Sequence, residues 1–186
     1  MLNVLITLYL FENKALLDIF EAKGLLNTIK IKHLTKLYRV AGMKKIVCSE
    51  FKTGRRFLGS LPHKEDLIAS IENFAIEASI HMATFSIIGA VSSVTMGSYD
   101  QKQQVYVTAT ETGPFEILTC TGNISLKDQK PMAHAHIVLC DEKGKAFGGH
   151  LFSETIIFAG EIELVELTGK QFERTYDAIT GLMLWS

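Results

Sequence analysis

Cysteine is scarce in this chain, and its placement rules out a disulfide framework. Cys48, Cys120 and Cys140 are odd in number and widely spaced, and no CxxC pair occurs. A reducing cytoplasm is therefore the default compartment. Long hydrophobic runs are also missing. The apolar opening from Met1 to Phe11 is too short to cross a bilayer, and it lacks the basic leader region and cleavage site of a secretion signal. No membrane partner is expected. Positive charge is not in excess, since 19 Lys/Arg against 20 Asp/Glu leave a net charge of -1. Such a chain has no overall attraction to phosphate backbones. There is no GxGxxG, no Walker A loop, no HExxH and no GxSxG elbow. Repeats and low-complexity segments are absent too.

The charge that is present divides unevenly. Residues 1–42 hold six of the 19 basic residues and three of the 20 acidic ones, leaving 13 basic against 17 acidic in residues 43–186. Two amphipathic segments, Asn13 to Leu26 and the basic Lys30 to Arg39, are candidate helices, and Met43-Lys44-Lys45-Ile46 resembles a fresh chain start. Residues 1–42 thus read as an N-terminal extension, with a genuine helical arm as the alternative. Residues 43–186 read as one domain, its core about 46–168.

Six histidines occur in all, and three of them fall between residues 134 and 150. The run from His134 to His150 reads as a β-hairpin. His134 and His136 are two apart, so on a strand both side chains leave the same face. Asp141-Glu142-Lys143-Gly144 is turn chemistry, and a reversal centred on Lys143 sets His136 opposite His150. Three imidazoles then converge, as a three-nitrogen metal site with an open fourth position requires. Zinc is the first candidate and another divalent transition metal the second. Three surface or interface histidines that merely neighbour a hairpin are the competing reading. Gly148 and Gly149 could permit a bulge or a close backbone approach that aims His150, or form an ordinary turn.

The remaining pattern is α+β. Phe51 to Leu61 reads as a strand. Pro62-His63-Lys64-Glu65-Asp66 opens a helix to about Ser79, with acidic residues in its first turn. Strands follow over Ala83 to Met96 (broken at Gly89), Gln104 to Thr110, Phe115 to Leu126, Ala133 to Cys140, Ala146 to Phe152 and Thr155 to Leu167. Turn signals at Gly97-Ser98-Tyr99-Asp100, Thr112-Gly113-Pro114 and Lys127 to Pro131 separate them. Short connections favour a mostly antiparallel sheet with one main covering helix. The tail from Phe172 to Ser186 packs back through its apolar residues, with Asp177 to Leu182 as a turn.

Gly54-Arg55-Arg56-Phe57, Phe74-Ala75-Ile76-Glu77-Ala78, Ile88-Gly89-Ala90-Val91, Gly122-Asn123-Ile124 and His134-Ala135-His136…Gly148-Gly149-His150-Leu151 together resemble the PPC (plants and prokaryotes conserved) domain, in its stand-alone bacterial form. The resemblance implies a homotrimer. Plant members follow AT-hooks that bind A·T-rich DNA, and no Arg-Gly-Arg-Pro hook occurs in this sequence. A segment similar to Gly113 to Leu118 serves partner binding in plants, and Pro114 in this chain stands where the plant segment has an arginine. Bacterial members are often described as predicted DNA-binding proteins. The fold also resembles that of acetolactate decarboxylase, a zinc enzyme with an HxH…H set, although a fold alone transfers no substrate.

Three functions follow as expectations. The first is a trimeric, metal-bearing ligand-binding or DNA-associated regulatory module. The second is a zinc-dependent lyase or hydrolase acting on a small carboxylate or keto compound. The third is a trimeric scaffold with structural metal. For the enzyme, Glu77 is a candidate acid or base, Arg55 could hold an anionic substrate and Asn123 could orient it. Each has a plainer reading: Glu77 as a cap or structural pair, Arg55 as a bridge between subunits. His63 and His81 have no partners in sequence.

Overall fold

A computed structural model describes residues 46–185. The expected extension, residues 1–42, lies outside the described residues together with its two amphipathic segments.

The described elements, in chain order, are β1 (Phe51–Leu61), α1 (Leu67–Glu77), β2 (Ala83–Asp100), β3 (Val105–Lys127), β4 (Lys130–Cys140), β5 (Ala146–Leu151), β6 (Ile156–Gly169), β7 (Arg174–Asp177) and β8 (Leu182–Trp185). The first six strands form one sheet in the order β1-β6-β2-β3-β4-β5, and every ladder in it is antiparallel. One further pairing matters for the site. The far end of β2 returns to β5, Met96 opposite Leu151 and Gly97 opposite His150, so β2, β3, β4 and β5 close a ring. The last two strands make a separate hairpin.

Alternation builds the core. In β4, Ala133, Ala135, Ile137 and Leu139 are buried, while His134, His136 and Val138 on the opposite face are not. α1 buries Leu67, Ile71 and Ala75, spaced four apart, in the same core cluster. Phe57 of β1 meets Phe74 of α1 edge to face at 5.2 Å. Core and histidines therefore occupy opposite faces of one strand. Among the described residues no helix is long and apolar enough to cross a membrane.

Several boundaries differ from the sequence expectation. The helix begins at Leu67, and its first turn holds no acidic residue. Asp66 is instead the N-cap, its Oδ1 accepting from Ala69 N at 2.8 Å. β2 is not broken at Gly89 but carries a register shift between Ile87 and Gly89. It also runs through Gly97 to Asp100. Asp100 Oδ1 accepts from the N–H groups of Lys102 and Gln103, so the reversal follows it. The expected strands Gln104–Thr110 and Phe115–Leu126 are one strand. Gly113 and Pro114 fall at its register shift, where proline's missing N–H costs no ladder bond. β5 stops at Leu151, one residue short of the expected Phe152.

Asp66 does more than cap. Its Oδ2 accepts from Glu154 N at 2.6 Å and Thr155 N at 3.2 Å, tying α1 to the start of β6. Asp66→Ala removes a cap and strands backbone donors, so a loss of about 2–3 kcal/mol is expected. Urea unfolding with an unchanged m-value checks it; an unchanged midpoint refutes the account.

Candidate metal centre

The turn after β4 is fixed by Asp141, whose Oδ1 accepts from Lys143 N at 2.9 Å and Lys145 N at 2.8 Å, with Gly144 at φ +75°. That reversal sets the register His136 to His150 and Cys140 to Ala146. Gly148 and Gly149 belong to the same junction. A Cβ at Gly148 would strike the Ile137 carbonyl, and one at Gly149 would lie 2.7 Å from Gly97 O. β5 is wedged between β4 and β2 at a separation that only glycine permits. The neighbouring His150 is thereby held over β4.

The three rings meet on the outer face. Their centroids are 4.9 to 5.5 Å apart, and one nitrogen from each lies within 4.8 Å of the others. His150 Nδ1 is 3.3 Å from His136 Nε2. Two nitrogens, each about 2.0–2.1 Å from a tetrahedral ion, sit about 3.3 Å apart, so this edge already has the spacing of a bound metal. Protonation also suits a cation. Burial, assisted by the charge of Arg174 and by His136, lowers the His134 pKa to about 4, and burial with the neighbouring histidines lowers His150 to about 4. Both rings are neutral near pH 7, with lone pairs available. The trio could hold a divalent transition metal. No carboxylate joins the group among the described residues, which leaves a fourth position open.

Around the trio stand residues that the sequence did not single out. Tyr106 and Phe152 flank His150 at centroid distances of 4.8 and 4.7 Å. Arg174, on β7, lies with Nη2 3.4 Å from His134 Nδ1 and donates from that nitrogen to Asn123 Oδ1 at 2.8 Å. Its Nε donates to Ser125 Oγ, which also accepts from Trp185 Nε1. No signal in the sequence points to Arg174.

Of the expected pocket residues, Asn123, Gly148 and Gly149 are at the trio. Asn123 faces His134 in the β3–β4 ladder. Arg55 and Glu77 are not brought to it. Arg55 donates to Glu166 from Nε (2.7 Å) and Nη2 (2.8 Å), and to Ala78 O, which caps the end of α1. This fork holds the Glu166 carboxyl down at about 2. Glu77 lines a cleft among α1, β1 and β6 that none of the three histidines enters. His63 Nδ1 contacts Phe158 O, and His81 Nδ1 contacts Gln171 Nε2.

Known proteins agree with this architecture. A family model described as the Plants and Prokaryotes Conserved domain matches residues 48–168. A metal-containing protein from Archaeoglobus fulgidus is 44% identical, with a TM-score of 0.71 over 77% of this chain and 99% of its own. A plant- and prokaryote-conserved protein from Pyrococcus horikoshii is 35% identical at TM-score 0.72, covering 76% and 97%. A candidate DNA-binding protein from Bacteroides thetaiotaomicron is 26% identical at TM-score 0.66, covering 73% and 96%. The bifunctional protein GlmU from a Synechococcus strain is 26% identical over 121 residues, 64% of this chain but only 18% of that protein. α-Acetolactate decarboxylase from Bacillus subtilis, at TM-score 0.44 and 14% identity, is too distant to bear on chemistry.

The histidine pKa values give a pH dependence for the metal-free protein. Unfolded, both imidazoles take up protons below about pH 6.5; folded, they resist until about 4. Their stability contribution is complete above 6.5 and is lost as pH falls. Thermal unfolding in chelator is expected to drop from about pH 6.5 to about 5, above the carboxylate range, and His134→Asn should flatten the slope. A wild-type melting temperature that stays level across that window contradicts the neutral pair.

Proposed function

The chain belongs to the plants and prokaryotes conserved domain family, and we propose that it is a homotrimeric, metal-centred ligand-binding module whose ion is held by His134, His136 and His150. The observation that carries this reading is the convergence of three imidazole donors with no fourth protein ligand among the described residues. Zinc is the ion of choice, because imidazole suits it and a three-histidine set with an open position is a familiar zinc arrangement. When bound, it would supply a Lewis acid at that open position. The protein's own part is to keep His134 and His150 unprotonated and to aim them by the β4–β5–β2 junction. The metal-containing relative from Archaeoglobus fulgidus supports the metal, since it matches nearly its whole length at 44% identity.

Binding is favoured over catalysis. A lyase or hydrolase needs an acid or base at the reacting atoms, and the described residues bring no carboxylate into the histidine group. A purely structural ion is disfavoured by the arrangement of β4, whose inward residues pack the core independently of the outward histidines. The trimer draws support from apolar side chains left in water on the outer surface, among them Leu58 at 80%, Val107 at 61% and Phe158 at 59% exposure. Free Cys48, Cys120 and Cys140 fit a reducing cytoplasm, and burial pushes the Cys120 thiol up to about 12, which keeps it inert. A DNA-associated role is a second reading, supported by the name of the Bacteroides thetaiotaomicron protein and opposed by a net charge of -1.

Elemental analysis of the purified chain is expected to give about one zinc or similar ion per protomer. His136→Ala, at the most exposed of the three, should lose most of it and remain folded by circular dichroism. Chelation should lower the melting temperature yet leave the chain folded, because the ion adds its binding free energy to a core that packs without it. A metal-free wild type overturns the reading, and collapse of the fold on chelation transfers the ion to the structural class.

A further inference from the structure

The tail hairpin contributes a charge that the histidine trio does not need. Arg174 is 8% exposed and is the one buried charged residue among the described residues. Its side chain meets Ser125 Oγ at 2.9 Å, Met183 O at 3.3 Å, Asn123 Oδ1 at 2.8 Å and His134 Nδ1 at 3.4 Å, none of them a carboxylate. These do not use up the five N–H donors of a guanidinium. Among the described residues no carboxylate lies within ion-pair distance of it. Buried arginines are ordinarily paired with an acid.

The position of this cation sharpens the problem. Nη2 is 3.4 Å from His134 Nδ1, so the guanidinium charge stands directly beside the trio. A divalent ion on the trio would add two positive charges beside it. An anion between the ion and the guanidinium offsets both.

We infer that Arg174 and the open coordination position together form a subsite for a small carboxylate, gripped by the guanidinium fork. The inference rests on the metal reading above and names the ligand class of that same site. The planar fork matches two carboxylate oxygens, and the hydrogen bonds to Ser125 and Asn123 fix its plane. Tyr106 and Phe152, in edge contact at 5.1 Å and both against His150, give an apolar wall for a carbon skeleton. Inorganic phosphate has nothing to set against that wall. Asn123 is a positioning residue here, acting through Arg174.

The chain holds a single tryptophan, Trp185, whose ring lies 5.3 Å from Arg174 Cζ and whose Nε1 shares Ser125 Oγ with it. Its emission therefore reports on the guanidinium. Zinc-loaded full-length protein is titrated with pyruvate, followed by Trp185 emission and calorimetry. Saturable binding is expected. Arg174→Gln should weaken it about tenfold or more with zinc content unchanged, and Arg174→Lys should fall between. Because Arg174→Gln could loosen the hairpin, the wild type is also titrated with methyl pyruvate, the neutral ester, which should bind at least about tenfold more weakly. Equal binding of pyruvate by Arg174→Gln, equal binding of the ester, or phosphate bound as tightly as pyruvate overturns the inference. Elemental analysis separates the two claims. A zinc-loaded chain that ignores pyruvate sinks the carboxylate subsite and spares the metal. A zinc-free chain that binds pyruvate through Arg174 sinks the metal and upholds the arginine's grip.

Discussion

The approach of β5 to β2 at Gly97 and Gly149 is the constraint on which the site depends. A strand that pairs on one side with β4 and touches β2 on the other has little room for a Cβ at the crossing. Two successive glycines supply that room, and His150 is the next residue along. Its ring is thereby lodged beside His136 and His134 rather than spread into solvent. Side-chain packing from Tyr106 and Phe152 then holds it in place. Geometry of this kind, set by backbone contact, is stiffer than one set by loops.

A division of labour between the faces of one strand follows. The inward residues of β4 are small or aliphatic and close the core, and the outward ones offer nitrogen. The two roles do not compete because the pleat sends neighbouring side chains in opposite directions. Arg174 enters from a different element altogether. The tail hairpin is anchored by Phe172, which is buried and stacks on Trp185 at 5.2 Å, and by Leu126 N donating to Phe172 O. The C-terminal segment thus delivers a permanent charge to a site otherwise built on β4 and β5.

Much of this was legible in the sequence, for reasons that differ by element. The β4–β5 register could be read because Asp141 and Gly144 mark a tight turn and a period of two then carries His136 to His150. The glycine pair could be read as a sign of close approach, although not that β2 was what approached. Turn signals misled where they lay within long strands: Gly97 and the Gly113-Pro114 pair look like breaks, but a bulge absorbs Gly113-Pro114 and Asp100 places the real reversal later. Acidic residues just before an apolar period suit either a first turn or a cap, and Asp66 proves to be the cap. Arg174 could not be foreseen, since nothing local distinguishes a strand arginine that turns inward from one that faces solvent. Arg55 and Glu77 were drawn to the site by their chemistry, and tertiary packing engaged Arg55 with Glu166 and set Glu77 in a separate cleft.

The edge strand β1 has a consequence of its own for biogenesis. Among the described residues it pairs with β6 alone, Phe51 opposite Gly169, and Arg55 finds Glu166 at a separation of 111 residues. On the ribosome, β1 and its covering helix emerge long before the strand that must zip against them. Until then that edge offers unsatisfied amides and carbonyls to any passing chain. Maturation of the sheet is therefore expected to be slow and to finish only once β6, about a hundred residues further along, has been synthesised.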